Sequence, residues 1–238
     1  MQKRNDILSL LPIYAVLLLA FIIVAGICNQ VVTVMSETAL IESRRTVIID
    51  PGHGGVDGGA ISYTGILESK FNLDIALRLN DMLHLLGMET AMIRNTDCSV
   101  YTQGETIAQK KISDLRERVR MINTTGNAIV VSIHQNTYPD GQYSGSQVFY
   151  SSTEGSMELA TQMQKQIQKC LTPGNNRKSK HASGVYLMDH INCTGILMEC
   201  GFLSNPEEER KLRDPEYQKQ LCAVIAGVLA RYLSATDA

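Results

Sequence analysis

The 238-residue sequence predicts an α/β fold: a single domain with a largely parallel, twisted sheet flanked by helices, preceded by one N-terminal transmembrane helix. Short β-branched runs alternate along the chain with amphipathic helical segments, and this alternation is typical of parallel sheets. The transmembrane helix is predicted because no charged residue occurs between Ile7 and Ser36. We therefore expect an anchor or signal segment (residues 1–36), a linker (residues 37–45) and one α/β domain (residues 46–238).

The N-terminal segment fits a membrane anchor. Leu8 to Cys28 is strongly apolar and close to the ~20 residues that span a bilayer as a helix. Lys3 and Arg4 precede this run, which favours a cytoplasmic N-terminus and a domain on the outer, exported side of the membrane. A cleaved signal peptide, which would leave the domain secreted, is the alternative, but no clear Ala-x-Ala cleavage pattern follows the apolar run.

The predicted strands are short runs rich in apolar and β-branched residues. In chain order they are Val47–Asp50, Met88–Arg94, Ala128–Ile133, Gln147–Tyr150, Val185–Met188 and Gly195–Met198. Most of the predicted helices carry apolar residues at spacings of three and four, and the second begins with a capping-box pair, Asp114 and Glu117. The helices are Leu67–Leu86, Asp114–Asn123, Ser156–Leu171 and Pro215–Leu233. The predicted loops are Asp97–Lys111, Gln135–Ser146 and Thr172–Ser183.

Composition excludes several classes of protein. The 22 basic and 24 acidic residues are nearly balanced, so the chain lacks the basic surface of a nucleic-acid-binding protein. None of the six cysteines lies in a Cys-x-x-Cys pair, which argues against a zinc ribbon or a redox motif. We expect free thiols in the domain, with a Cys193–Cys200 bridge as the alternative.

Polar residues with catalytic or metal-binding chemistry follow three of the predicted strands. His53 comes after Val47–Asp50, His134 comes after Ala128–Ile133, and Glu199 comes after Gly195–Met198. Because the carboxyl ends of parallel strands share one edge of a sheet, these side chains are expected to lie close together. Glu68, at the start of the first predicted helix, is expected to join them.

Two histidines and one carboxylate form a common catalytic zinc site, and a further carboxylate can act as a general base. His53 alone fits a structural histidine equally well, Asp57 rivals Glu68 as a ligand, and Asp50 could orient a ligand histidine instead. The same ligand types also suit other divalent metals. The sequence has no His-Glu-x-x-His, no Gly-x-Ser-x-Gly and no dinucleotide-binding glycine fingerprint at residues 52–59.

Six stretches resemble the zinc-dependent N-acetylmuramoyl-L-alanine amidases, in the same order along the chain. They are VIIDPGHGGVDGGA (Val47–Ala60), Glu68, RNTD (Arg94–Asp97), SIHQN (Ser132–Asn136), SGVYLM (Ser183–Met188) and ILMECGFLSNPEEE (Ile196–Glu209). The resemblance implies that one Zn²⁺ ion is bound by His53, Glu68 and His134, and that Glu199 is catalytic. It implies hydrolysis of the amide between the lactyl group of N-acetylmuramic acid and L-Ala of the peptidoglycan stem peptide. Asn136 would contact substrate.

Within that family the chain is most similar to the membrane-anchored amidases of the spore cortex, the CwlD type. This implies a role in forming muramic-δ-lactam for germination, with cortex peptidoglycan as substrate, the membrane as attachment site and an exported activator protein as a further partner. Two alternatives remain open at this point. They are an exported zinc peptidase that cuts within the stem peptide and an anchored peptidoglycan-binding module without activity.

The remaining polar residues of interest are expected to have structural or surface roles. Arg94 is expected to support the structure, and Arg116, Arg118 and Arg120 are expected to form a solvated helix face. His84 and His181 are expected at the surface, whereas His190 is a candidate substrate contact.

Overall fold

The structure is a computed structural model that describes residues 45–236 and, from the N-terminal segment, residues 18, 21, 22 and 24. Apart from those four positions, the predicted anchor lies outside the described residues, as does the predicted linker up to residue 44. Among the residues that are described, none of the helices is long and apolar enough to cross a membrane. The transmembrane helix therefore stays a prediction.

Within residues 45–236 the chain forms one six-stranded sheet in the order β2-β1-β3-β6-β4-β5. The strands are β1 (Thr46–Pro51), β2 (Thr90–Met92), β3 (Ala128–Asn136), β4 (Gln147–Tyr150), β5 (Lys180–His181) and β6 (Thr194–Phe202). Only the β4–β6 pair is antiparallel in this sheet. The predicted largely parallel sheet is confirmed, and the carboxyl ends of β1, β3 and β6 share one edge.

Helices cover both faces of the sheet. They are α1 (Glu68–Leu85), α2 (Ile107–Thr124), α3 (Ser156–Cys170), α4 (Tyr186–His190), α5 (Pro206–Arg213) and α6 (Pro215–Thr236). Successive residues of a strand point to opposite faces. Accordingly, Ile49 of β1 packs in a core with residues of α1, α3 and α6, whereas Ile48 packs in a second core with residues of α2 and α4. The buried apolar side chains of these two cores hold the central strands between two helical layers.

Two predicted elements are wrong in type or position. Val185–Met188, predicted as a strand, leads into helix α4, where the consecutive residues Leu187 and Met188 are both buried. A short apolar run does not distinguish a helix from a strand by periodicity. The second helix begins at Ile107 rather than Asp114, inside the predicted loop. Its capping box is formed by Thr106 and Gln109, whose side chains each accept a hydrogen bond from the other's backbone N–H.

Two further elements were not predicted. Helix α5 starts at Pro206 after Asn205, whose side chain accepts hydrogen bonds from the N–H groups of Glu207 and Glu208. Asparagine followed by proline is a recognised helix start. The two-residue strand β5 lies in the predicted loop Thr172–Ser183. The described cysteines are all free thiols, so the alternative Cys193–Cys200 bridge does not form.

Candidate metal centre

Three side chains with metal-binding chemistry meet at the carboxyl edge of the sheet. His53 lies just beyond β1, Glu68 is the first residue of α1, and His134 lies near the end of β3. One ligand-type atom from each lies within 4.8 Å of those of the other two. His53 Nε2 is 3.2 Å from Glu68 Oε2, and His134 Nδ1 is 3.1 Å from Glu68 Oε1. The structure therefore places the three predicted ligands in one cluster.

The imidazole of His53 is oriented by Asp57. His53 Nδ1 lies 3.0 Å from Asp57 Oδ2, and because a carboxylate can only accept, this nitrogen carries the proton. Nε2, 3.2 Å from Glu68 Oε2, is then the nitrogen that would bind a metal ion, which is the arrangement usual for a metal-ligating histidine. Lys111 Nζ lies 3.1 Å from the same carboxylate. Asp57 thus orients a member of the cluster instead of replacing Glu68 in it.

Glu68 is buried but remains ionised. Its Oε2 accepts a hydrogen bond from the N–H of Ala60 at 3.0 Å, and its Oε1 accepts one from the N–H of Gln135 at 3.1 Å. Burial alone raises the pKa of Glu68, but hydrogen bonds and charge from His134 and His53 outweigh it and hold that pKa far below its usual range. The pKa of His53 shifts in the complementary direction: burial lowers it, and Glu68 and Asp57 more than offset this effect and raise it.

The turn that carries His53 is held in place by a buried arginine. His53 has a φ of 60°, a left-handed conformation that is unfavourable for a non-glycine residue. Arg118 donates to the carbonyl oxygens of Pro51 at 3.0 Å and His53 at 2.7 Å, and it pairs with Asp50 and Asp114. These bonds fix the backbone on both sides of the turn.

Arg118 corrects one prediction and Asp50 another. Arg118 is only 2% exposed and is not part of a solvated helix face, although Arg116 and Arg120 are exposed as expected. It lies four residues before the buried Ile122, so it belongs to the face of α2 that packs on the sheet. Asp50 does not orient a ligand histidine, because its carboxylate binds Arg118 and the hydroxyl of Ser132 instead.

A second arginine, Arg94, completes this support, as expected from the sequence. It is 3% exposed and donates to the carbonyl oxygens of Pro51 and Gly52 at 2.9 Å each. Burial lowers the pKa of Arg94, with the nearby Arg118 acting in the same direction. By contrast, burial lowers the pKa of Arg118 but its two aspartate partners more than offset this and raise it.

Glu199 lies beside the cluster. It is the register partner of His134 across the β3–β6 pair, so both side chains point to the same face of the sheet. Its Oε2 is buried and has no hydrogen-bond partner within residues 45–236. Burial raises the pKa of Glu199 to about 7, and the charge of Glu68 acts in the same direction while His134 opposes it. A carboxyl group with this pKa can both accept and donate a proton near neutral pH.

His53, His134 and Glu199 line one cavity of about 310 Å³ between the sheet and helices α2 and α4. Its opposite walls are mainly apolar, and they are formed by Leu115, Phe149, Val185, Leu187 and Leu197. Tyr186 and Lys111 complete its rim. A few convergent polar groups in a partly apolar cavity are typical of a substrate site.

Asp50, Asp57 and Arg118 also line this cavity, and the remaining candidates lie outside it. The side chain of Asn136 accepts a hydrogen bond from the N–H of Thr137 at 2.8 Å, and its contact with substrate stays a prediction. His190 is exposed and stacks on Tyr186 with ring centroids 4.0 Å apart. His84 and His181 are exposed, as expected. Asn72, a fully buried amide one turn after Glu68, was not predicted from the sequence. The available signal was a polar side chain on the apolar face of α1.

Comparisons with known proteins give a consistent result. A sequence model of the N-acetylmuramoyl-L-alanine amidases matches residues 47–231. The germination-specific N-acetylmuramoyl-L-alanine amidase of Bacillus subtilis (strain 168) is 36% identical over 194 residues, which are 81% of this chain and 81% of that protein. The amidase LytC of the same organism is 30% identical over 191 residues, which are 79% of this chain but 35% of that protein.

The fold comparison agrees. The structure of the CwlD amidase from Clostridioides difficile, solved in complex with the GerS lipoprotein, superposes with a TM-score of 0.77 at 33% sequence identity. The match covers 81% of this chain and all of that chain (100%).

Proposed function

Because the chain belongs to the family of N-acetylmuramoyl-L-alanine amidases, we propose that His53, Glu68 and His134 hold a zinc ion and that Glu199 is the catalytic carboxylate. The amidase activity is hydrolysis of the amide bond between the lactyl group of N-acetylmuramic acid and L-Ala of the peptidoglycan stem peptide. The observation that carries the proposal is the cluster of three ligand-type side chains beside a carboxyl group with an unpartnered buried oxygen.

The donor set fits zinc. Ligand atoms about 2.1 Å from one tetrahedral ion lie about 3.4 Å from one another. His53 Nε2 lies 3.2 Å from Glu68 Oε2, close to that spacing, and one ligand-type atom from each of the three side chains lies within 4.8 Å of the other two. When bound, zinc would act as a Lewis acid that polarises a substrate carbonyl and lowers the pKa of water.

Glu199 is placed to move the protons of this hydrolysis. We infer that its buried Oε2 accepts the proton of the attacking water, because no other group of residues 45–236 bonds that oxygen. The protonated carboxyl then donates to the L-Ala nitrogen as the amide bond breaks. The leaving amine needs this proton, and a pKa of about 7 allows Glu199 to serve in both directions. The apolar walls of the cavity limit access of bulk water to the reacting groups.

We propose further that the substrate is peptidoglycan of the spore cortex, where the reaction leads to muramic-δ-lactam for germination. The germination-specific relative of B. subtilis and the CwlD amidase of C. difficile support this, since both match the chain over about four fifths of its length. The C. difficile structure contains the GerS lipoprotein, which supports a lipoprotein partner for this chain. The apolar run Leu8 to Cys28 after Lys3 and Arg4 supports an anchored domain on the outer side of the membrane.

The full chain, purified with detergent, would be incubated with zinc and denuded peptidoglycan, and the products identified by mass spectrometry. We expect stem peptides with a free L-Ala amino group, which disappear in His134→Ala and in Glu199→Gln. Zinc content separates the two roles, because His134→Ala should lose zinc and Glu199→Gln should keep it. Cuts inside the stem peptide would indicate a peptidase instead, and binding to the wall without any cut would indicate a binding module.

A further inference from the structure

We propose that Asn72 is a positioning residue that holds the three ligand-bearing segments in their relative places. The inference rests on the proposed zinc site. Asn72 lies on α1 one turn after Glu68 and is 0% exposed. The candidate ligands of the cluster are His53, Glu68 and His134.

The amide of Asn72 bonds to each of the three segments. Its Nδ2 donates to the carbonyl oxygen of Gly52 at 3.1 Å and to Glu68 Oε1 at 3.2 Å. Its Oδ1 accepts a hydrogen bond from Gln135 Nε2 at 3.2 Å. Gly52 directly precedes His53, and Gln135 directly follows His134. One side chain therefore connects the β1 turn, the first turn of α1 and the end of β3.

The orientation of this amide is dictated by its partners. A carbonyl oxygen and a carboxylate oxygen can only accept, so the NH₂ group of Asn72 must face Gly52 and Glu68. The remaining oxygen then faces the NH₂ group of Gln135. A hydroxyl, a carboxylate or an aliphatic group at position 72 cannot make all three bonds. This arrangement therefore requires asparagine, and a different polar residue of similar size would not be sufficient.

The same bonds restrict the Glu68 carboxylate. Oε1 accepts from Asn72 Nδ2 and the N–H of Gln135 and faces His134, whereas Oε2 accepts from the N–H of Ala60 and faces His53. Oε2 thus keeps more acceptor capacity, and the plane of the carboxylate is held by donors on both sides. Partners of this kind typically change metal affinity by about 10–100-fold when they are removed.

Asn72→Leu tests the proposal because it keeps the number and branching of the side-chain heavy atoms and removes all three hydrogen bonds. Asn72→Ser is the second variant, with a side chain too short to reach the three partners. Gln218→Leu is the matched control. Gln218 is also a buried amide, 3% exposed, that donates to a backbone carbonyl (Leu212, 2.7 Å) and bonds a side chain of α1 (Arg78, 2.7 Å), but it lies on α6.

Zinc affinity of the full chain would be measured by competition with a chromophoric chelator, and thermal stability would be measured on the metal-free proteins. We expect zinc to bind about 10–100-fold more weakly to both Asn72 variants than to the unmodified chain. Gln218→Leu should lose thermal stability as the Asn72 variants do, yet bind zinc as the unmodified chain does. A purely structural role of Asn72 would move stability alone.

Two contrary results are distinguishable. Unchanged zinc affinity in a folded Asn72 variant would overturn the positioning role while leaving the zinc site in place; Asn72→Ser decides this if Asn72→Leu does not fold. If the unmodified chain does not bind zinc, or if His134→Ala binds it equally well, the proposed zinc site itself fails and the role of Asn72 fails with it.

Discussion

Two groups of buried charges lie next to the His53 turn, and they differ in how completely they are paired. In the first group, Arg118 bonds both Asp50 and Asp114. In the second, Glu68 lies between two imidazoles, and Glu199 has a buried oxygen without a partner in residues 45–236. Each charged side chain of the first group is bonded to an opposite charge, whereas the second group keeps an unused acceptor atom.

This difference separates residues that stabilise the fold from residues that are candidates for catalysis. Buried charges that only stabilise a fold are expected to be paired and hydrogen-bonded, because an unpaired buried charge is costly. A group that keeps an unpaired carboxyl oxygen and a raised pKa is therefore a candidate for function. Both groups line the cavity, but the paired group holds the backbone of the turn, whereas the unpaired group keeps an acceptor atom free for chemistry. Breaking each group should have different consequences.

The largest effect is expected from Glu199→Gln, which keeps the shape of the side chain but removes its ability to accept a proton. The turnover rate should fall by roughly 10²–10⁴-fold, the range typical of general acid–base catalysis. Zinc content and thermal stability should stay near those of the unmodified chain. Hydrolysis of a soluble muramoyl peptide, followed by liquid chromatography, measures the rate. A variant that retains full turnover would remove Glu199 from the chemistry.

Arg118→Met breaks the paired group. It leaves Asp50 buried without its counter-charge, and removing one partner of a buried pair typically costs about 3–5 kcal/mol. Urea denaturation of the metal-free chain measures this loss. Zinc affinity should fall as well, because the carbonyl of His53 loses its donor.

Arg120→Met is the control for Arg118→Met, since Arg120 lies on the same helix and pairs with Glu117 at the surface. Its urea midpoint should stay unchanged. Equal effects of the two substitutions would contradict the assigned role of the buried arginine.

Gly52→Ala should disturb the unpaired group by steric means. A Cβ at position 52 would overlap Cε1 and Nε2 of His134, so the imidazole must move. Overpacking of this kind costs about 1–3 kcal/mol, and zinc affinity should fall with it. Gly126→Ala is the control, because a Cβ there meets nothing within 4 Å. Zinc competition and urea unfolding on both variants test the prediction, and wild-type zinc affinity in Gly52→Ala would argue against it.

The smallest effect concerns acid stability. Burial raises the pKa of Asp50, but Arg118 and Ser132 outweigh it and hold the pKa below the usual value. The Asp50 carboxylate therefore contributes its full stabilisation above the pKa that Asp50 has in the unfolded chain, ~4. This stabilisation is lost as the pH falls from that value through the pKa of Asp50 in the folded chain. Its size is about 1.4 kcal/mol for each pH unit between the two pKa values.

Urea unfolding of the metal-free chain between pH 6 and pH 3 measures this dependence. The unmodified chain should lose stability below pH ~4 more steeply than Asp50→Asn, which has no carboxylate to protonate at that position. Parallel pH profiles for the two proteins would show that Asp50 contributes nothing to the acid limb.

The strands at the centre of the sheet were predicted correctly. The four principal site residues were expected at one edge of the sheet, and the structure brings them together there, while their roles stay proposals. Val47–Asp50 and Ala128–Ile133 are rich in β-branched residues and buried on both faces, a pattern typical of the central strands of a parallel sheet. The run Val185–Met188 leads into a helix in the structure. It was predicted wrongly because four apolar residues are too few to show a helical or a strand periodicity. The anchor and its orientation stay predictions from charge and hydropathy.

By itself, the sequence determined that two histidines and Glu199 lie at or near the carboxyl ends of parallel strands and that Glu68 begins a helix, which brings them to one edge of the sheet. Only the tertiary structure decided which surrounding residues support them. Arg118 lies 68 residues from Asp50 along the chain, and Asn72 lies 63 residues from Gln135. Whether such a side chain is solvated or buried depends on which helix face packs against the sheet. That is a property of the packed fold, and no local window of sequence contains it.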